Sequence, residues 1–333
     1  MKKFINAPDS FVDECMEGIL SAYPDFYEVN PEDHRAIVLK NNHHADHVSI
    51  VTGGGAGHLP LFMGYIGNGL CSGAAVGNVF STPSAETIGW VAGHVPSDKG
   101  IVFVIGNYTG DIMNFEIAAA KAQSEGVQTR TVVVCDDVAT APKAEWRNRR
   151  CISGITLVYK VAGAAAHMGK TIDEVAEIAD YANQNVASIG VAFSPCQLPD
   201  TKTPVFSIGE DEMEIGIGIH GETGVRRSKL MKSRDIAEYM TGKIMRDQSL
   251  EAGNRVAVMV NGLGATSQEE LFILYRDIRE CLAAGGIEIH VRYIGNYATS
   301  LGMNGASLSV MRLNETLAAL LAYESYSPLA RFH

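Results

Sequence analysis

Three short stretches of this 333-residue chain hold side chains whose types and spacing could do chemistry. At 216–221 the run GIGIHG sets His220 among glycines, with Glu222 two residues further on. Glycines on both sides clear space around an imidazole, as a nucleophile or a ligand site requires. No partners stand near it at metal-ligand spacing, so no metal is expected. The same run matches G-x-G-x-x-G, which raises a dinucleotide site and with it a nicotinamide-dependent dehydrogenase. A dinucleotide site needs a helix to open directly after the glycines, and helical periodicity here resumes only near 233.

The second stretch is GGGAGH at 53–58, ending on His58. A phosphate loop needs Lys and then Ser or Thr after its last glycine, and His58, Leu59 and Pro60 stand there instead. Gly54, Gly55, Ala56 and Gly57 read either as a plain structural turn or as backbone brought close to a ligand. The third is GNYTGD at 106–111. Asp111 reads either as the N-cap of the helix that follows or as a general base aimed into a crevice.

The elements around these stretches must carry them. Apolar runs at 48–52, 101–105 and 131–134 each lead into a glycine-rich or polar turn, and a helical pattern at 112–124 follows the second. Runs apolar at every position and separated by helices predict parallel strands buried on both faces. Ligands in such sheets sit at the carboxyl ends of the strands, so the segments at 53–58 and 106–111 should converge. Residues 155–183 predict two helices, the second opened by a capping box of Thr171 and Glu174. Strands at 186–193, 205–208 and 213–219 follow without helices between them, which predicts antiparallel pairing. A helix near 233–246, a strand at 256–260, a helix near 268–284, strands at 287–293 and 308–313, and a helix near 315–322 complete the pattern.

The expected fold class is α/β in two domains. Residues 1–185 would form a mostly parallel sheet with flanking helices and residues 186–333 a mixed or antiparallel sheet with helices. A net charge of −11 argues against a nucleic-acid surface. The basic stretches at 147–150 and 226–232 then suit a solvated face or a docking patch for an acidic partner. No run of about 18 apolar residues exists to span a membrane. The six cysteines lie apart with no C-x-x-C, so Cys71, Cys135 and Cys281, set among apolar residues, are expected as buried thiols in a cytoplasmic protein.

Taken together the segments resemble the K-type, substrate-binding subunit of dihydroxyacetone kinase over nearly the whole chain. The resemblance rests on KFIN at 3–6, GGGAGH at 53–58, NYTGD at 107–111 with MNFE at 113–116, and SPC at 194–196. It continues through GEDEMEIGIGIHGE at 209–222, NGLGAT at 261–266, GNY at 295–297 and TSL at 299–301. It implies a two-domain α/β subunit, usually a homodimer, that holds a short ketose as a hemiaminal on His220. His58 and Asp111 would act on the substrate hydroxyl, with Gly54, Gly55, Ala56, Gly57 and Gly106 lining the site.

No cofactor is implied on this chain. Mg²⁺ with ADP or ATP would be carried by a separate L-type subunit, which an M-type phosphoryl donor recharges in the phosphotransferase-fed version. The family commonly has serine at the position of Ala56, glutamate at Leu59, lysine at Gly106, and Thr-Ser for Ser81 and Thr82. Exchanging Glu and Lys for Leu59 and Gly106 implies a larger, neutral pocket and a ketose such as erythrulose. A second reading, a non-catalytic ketose sensor partnering a transcription regulator, needs capture at His220 but not His58 and Asp111.

Overall fold

The computed structural model describes residues 3–41, 46–199, 206–330 and 332. In chain order its elements are α1 (Phe11–Ala22), β1 (Tyr27–Val29), β2 (Ala36–Leu39), β3 (Ser49–Ala56), β4 (Gly73–Val79) and α2 (Ala85–His94). Then come β5 (Ile101–Gly106), α3 (Thr109–Ser124), β6 (Thr129–Val134), α4 (Ile155–His167), α5 (Ile172–Asn185) and β7 (Val186–Ala192). The rest are β8 (Glu212–Ile215), β9 (Arg226–Lys229), α6 (Ser233–Gln248), β10 (Arg255–Gly262), α7 (Gln268–Ala284), β11 (Glu288–Gly295), β12 (Gly305–Arg312) and α8 (Glu315–Ala322).

The strands form two six-stranded sheets, ordered β1-β2-β4-β3-β5-β6 and β11-β10-β12-β7-β8-β9. In the first, β4, β3, β5 and β6 run parallel, and β1 and β2 close one side antiparallel. In the second only β10 and β11 are parallel. Every residue of β5 is buried, as a continuous apolar run demands of a strand covered on both faces.

The layers follow from where the apolar faces go. Helices α2 and α3 cover one face of the first sheet, around Ile88, Val91, Phe103 and Phe115. Helices α4 and α5 cover the other. Helix α4 is buried from Ile155 to Ala166, because its far side packs on the second sheet through Ala257, Met259 and Met311. A helix apolar all round is stable only when enclosed in this way. Helices α6 and α7 close the outer face of the second sheet. Both capping boxes, Thr171 with Glu174 and Ser267 with Glu270, open their helices.

Several expectations need correction. The glycines at 53–55 are not a turn; they continue β3, which pairs with β4 as far as Ala56. The strand expected at 213–219 ends at Ile215, where Gly216 turns the chain with φ +76°. Of the strand expected at 205–208, Val205 lies outside the described residues and 206–208 are not extended into a strand. Cys71 and Cys135 are buried, but Cys281 is only half-buried. Most of the basic stretches are neutralised within the chain: Arg149 pairs with Asp247, Arg150 with Asp137, Arg227 with Glu214, and Lys229 with Asp211.

Candidate active site

Strands β3 and β5 are adjacent and parallel, so their carboxyl ends lie side by side. The segments that leave them carry His58 and Asp111. Across from them the loop after β8 carries His220. The 299–301 loop, between β11 and β12, joins the two sides. Its Thr299 N–H donates to His58 O at 3.1 Å, and Leu301 N–H donates to Gly57 O at 3.0 Å. The Ser300 hydroxyl donates to Ile219 O, one residue before His220.

His58 and His220 meet edge to face, with ring centroids 4.7 Å apart and planes at 83°. Phe80 stacks on His58 at 4.8 Å, and the Tyr108 ring meets His220 edge-on at 4.6 Å. Phe62 and Phe80, the aromatic rings beside His58, hold φ of +67° and +55°. Such backbone is costly for a bulky residue and clusters where geometry is imposed for function. Close approach also explains a glycine. A Cβ on Gly55 would lie 2.5 Å from Ser81 N and 2.8 Å from Phe80 Cα.

The protonation states follow from burial and partners. His58 Nδ1–H donates to Thr299 O at 2.7 Å, which leaves Nε2 as a lone-pair acceptor. That Nε2 is buried with no protein partner. Burial, and then the neighbouring His220, lower the His58 pKa to about 3, so the ring is neutral. Asp111 is buried, and desolvation raises its pKa to about 6 despite the Thr82 hydroxyl and the His220 ring pulling it down. Its Oδ1 also has no protein partner.

The residue that precedes the helix and caps α3 is Tyr108, and Asp111 sits three positions inside. The cap reading is therefore corrected: Asp111 lies inside the helix and makes no capping hydrogen bond. Glu222 accepts from His220 Nδ1 at 3.2 Å and from the His220 backbone N–H at 3.0 Å. Burial raises the Glu222 pKa, but the hydrogen bond and charge of His220, with help from Arg150, outweigh it and bring it to about 2. An ionised Glu222 fixes the proton on Nδ1 and leaves His220 Nε2 as a free lone pair.

Gly54, Gly55, Ala56 and Gly57 run directly into His58, and Gly55, Ala56 and Gly57 line a cavity with it. Gly106 differs from expectation. A Cβ there would lie 3.1 Å from the Tyr108 ring and 3.3 Å from Cys151 Cβ. The space expected to open at this position is filled, chiefly by Tyr108, whose hydroxyl donates to Cys151 O. Leu59 is 37 % exposed at the rim.

The chain has relatives among known proteins. The Dak1 domain model matches residues 17–329. The chain belongs to the Dak1 family. It is 36% identical over 315 residues to the dihydroxyacetone-binding subunit DhaK of PTS-dependent dihydroxyacetone kinase 1 from Listeria innocua, covering 95% of each chain. Among solved structures it is similar to the dihydroxyacetone kinase of C. freundii in complex with AMP-PNP and Mg²⁺, at TM-score 0.89 and 31% identity over 98% of this chain and 60% of that one. It is also similar to the dihydroxyacetone kinase operon co-activator Dha-DhaQ, at TM-score 0.87 and 31% identity over 94% and 96% of the two chains. The two sheets and their flanking helices are the Dak1 fold.

Sequence reasoning placed His58, Asp111 and His220 together but missed their supports. Thr299, Phe80, Tyr108 and Arg150 come from four separate segments; Tyr108 and Thr299 lie inside the motifs NYTGD and TSL and Arg150 in a basic stretch, but nothing in those patterns shows that they meet around the histidines. Glu222 was the legible one, two residues from His220. Among the described residues no group of three or more His, Cys, Asp or Glu could hold a metal ion, and no helix is long and apolar enough to cross a membrane.

Proposed function

We propose that this chain is the ketose-binding subunit of a dihydroxyacetone-type kinase and captures its substrate covalently on His220. The observation that carries this reading is the convergence of a free His220 Nε2 with two buried, unpartnered polar atoms, His58 Nε2 and Asp111 Oδ1. The Nε2 lone pair adds to the ketone carbon and forms a C–N bond. The carbonyl π pair moves to oxygen, which takes a proton from solvent and becomes a hydroxyl, while the imidazolium formed on addition gives up its Nδ1 proton to solvent by way of Glu222, so that protons balance. The product is a neutral hemiaminal, with no change of oxidation level. A polyol has no carbonyl and cannot be captured, so reactivity itself selects ketoses.

Capture fixes a terminal hydroxyl for phosphoryl transfer, whose main requirement is positioning. Asp111, with its pKa raised to about 6, is tuned to accept the hydroxyl proton near neutral pH. Neutral His58 Nε2 shares that one O–H with Asp111 as a three-centre hydrogen bond until the proton is taken, and so orients the oxygen. The phosphoryl donor, with nucleotide and Mg²⁺, belongs in this reading to a separate L-type subunit, fed where present by an M-type donor, and the ketose-binding chain itself acts as a homodimer.

The similarity to a co-activator supports a second reading, ketose sensing. A sensor needs only capture, and a buried, partly desolvated Asp111 would then be a stability cost without a use. ¹³C NMR of protein mixed with carbonyl-labelled dihydroxyacetone tests capture directly. The expected outcome is loss of the ketone signal in favour of an sp³ carbon, absent in His220→Ala. A ketose that binds with its carbonyl intact would overturn the reading.

A further inference from the structure

The nucleophile of this site hangs on a loop with no regular structure, from Gly216 to Glu222. A lone pair aimed at a ketone needs more support than a single hydrogen bond on such a loop. The support lies in a pair of charges that neither the glycine pattern nor the proposed chemistry uses. Asp137 follows β6 and is fully buried. One of its oxygens accepts from Ala139 N–H at 3.0 Å, and the other accepts from Arg150 Nε at 2.7 Å. The same guanidinium donates through Nη2 to Gly216 O, at the start of the His220 loop. Arg150 thereby ties that loop to the end of the first sheet.

Its third nitrogen and the Glu222 carboxylate both crowd Gly218. A Cβ on Gly218 would lie 2.0 Å from Glu222 Oε2 and 3.0 Å from Arg150 Nη1. Glutamate and guanidinium therefore converge over a residue that must lack a side chain. Glu222 in turn grips His220 at both backbone N–H and ring Nδ1. Contacts thus run from buried Asp137 to Arg150 and on to the loop at Gly216, while Glu222 holds His220 further along the same loop.

We propose that Arg150, clamped by Asp137, is a positioning residue that holds His220 in the Nδ1–H tautomer and so presents Nε2 to the ketone. The inference rests on the ketose-capture reading. The charge of Arg150 is among the influences that keep Glu222 ionised, after the opposing effect of burial and the favourable effect of His220. Tyr108, His58 and Cys196 also lie in the field of Glu222 and are neutral at pH 7. Arg150 supplies permanent positive charge. Without its hold on Gly216 O, the loop that carries Glu222 and His220 loses its tie to the first sheet, and the carboxylate is no longer fixed against Nδ1 to dictate which imidazole nitrogen carries the proton. A guanidinium fork can hold Asp137 and Gly216 O at once, whereas a lysine ammonium is a point charge on a flexible stem.

The test uses the whole chain labelled with ¹⁵N-histidine, without ketose, and the variants Arg150→Met and Arg150→Lys. The wild-type His220 signals should report the Nδ1–H tautomer at neutral pH. Arg150→Met should mix the tautomers and weaken capture of labelled dihydroxyacetone by about ten-fold or more. Arg150→Lys keeps the charge but not the fork and should fall between. A loop that was merely loosened would lose affinity without changing the tautomer. The proposal fails if wild-type His220 carries its proton on Nε2, or if a folded Arg150→Met keeps the wild-type tautomer, whatever its affinity. Should Arg150→Met not fold, an Arg150→Lys identical to wild type in both measurements overturns it. An absent adduct in the wild type would sink the capture reading alone, since the tautomer is read without ketose.

Discussion

Asp111 is where function and stability pull apart. Burial raises its pKa from 3.8 to about 6, so the folded chain holds the proton more tightly than the unfolded chain does. Ionised Asp111 therefore costs stability above about pH 6; the cost shrinks as pH falls and is gone below the unfolded value. The difference is worth up to about 3 kcal/mol. Asp111→Asn removes the cost, so at about pH 8 the variant should be more stable than wild type by about 1–3 kcal/mol in urea denaturation. That advantage should fade toward about pH 4. The same variant should capture ketose normally and lose phosphorylation in the complex reconstituted with a nucleotide-bearing subunit. Near-normal turnover would show that Asp111 is not the base, and unchanged stability at high pH would show that its burial carries no charge penalty.

The elements show which parts of the fold a sequence reader can see. Strand β5, buried at every position, and helices α5 and α7, opened by capping boxes, were legible because local pattern and tertiary role agree. Strand β9 was not: its sequence is Arg226 to Lys229 without an apolar residue, and it is a strand only because an edge needs pairing on one side. Strand β3 was half legible, since glycines at 53–55 signal turns and only the neighbouring β4 shows that they are extended. In the site, His220 was visible from its own glycines, whereas the role of Thr299 depends on contacts across 241 residues of sequence.

The glycines themselves allow a paired measurement. Gly55→Ala drives a methyl into Ser81 N and the Phe80 backbone, and should cost about 1–3 kcal/mol while displacing Phe80 from His58 and weakening capture. Gly89→Ala, in α2, meets nothing within 4 Å and should be stabilising by about 0.5–1 kcal/mol. Equal effects of the two in urea denaturation would mean that the close packing around β3 is not what requires glycine there.

At the scale of the whole molecule, the two sheets are bound through a shared layer, α4 and α5, which packs on both. The site is assembled across that layer, with His58 and Asp111 from the first sheet and His220 from the second. Its dimensions are thus set by how the halves meet, and Tyr108 stands at the meeting point. Its ring touches His220 on one side, lies against the position of Gly106, and is anchored through its hydroxyl to Cys151 O. Replacing the family's lysine by glycine at 106 suggested room for a four-carbon ketose, but the ring occupies the space in which that room was expected. Dihydroxyacetone should therefore be used at least as well as erythrulose, compared as kcat/KM with the nucleotide-bearing subunit supplied. Tyr108→Ala removes the ring and should move the ratio toward erythrulose. Contacts of about 1–2 kcal/mol regained by the extra hydroxymethyl group correspond to a change of about five- to thirty-fold. A wild type that prefers erythrulose would mean that the fourth carbon is accommodated away from Gly106. A ratio unmoved by Tyr108→Ala would mean that this ring supports His220 without bounding the ketose.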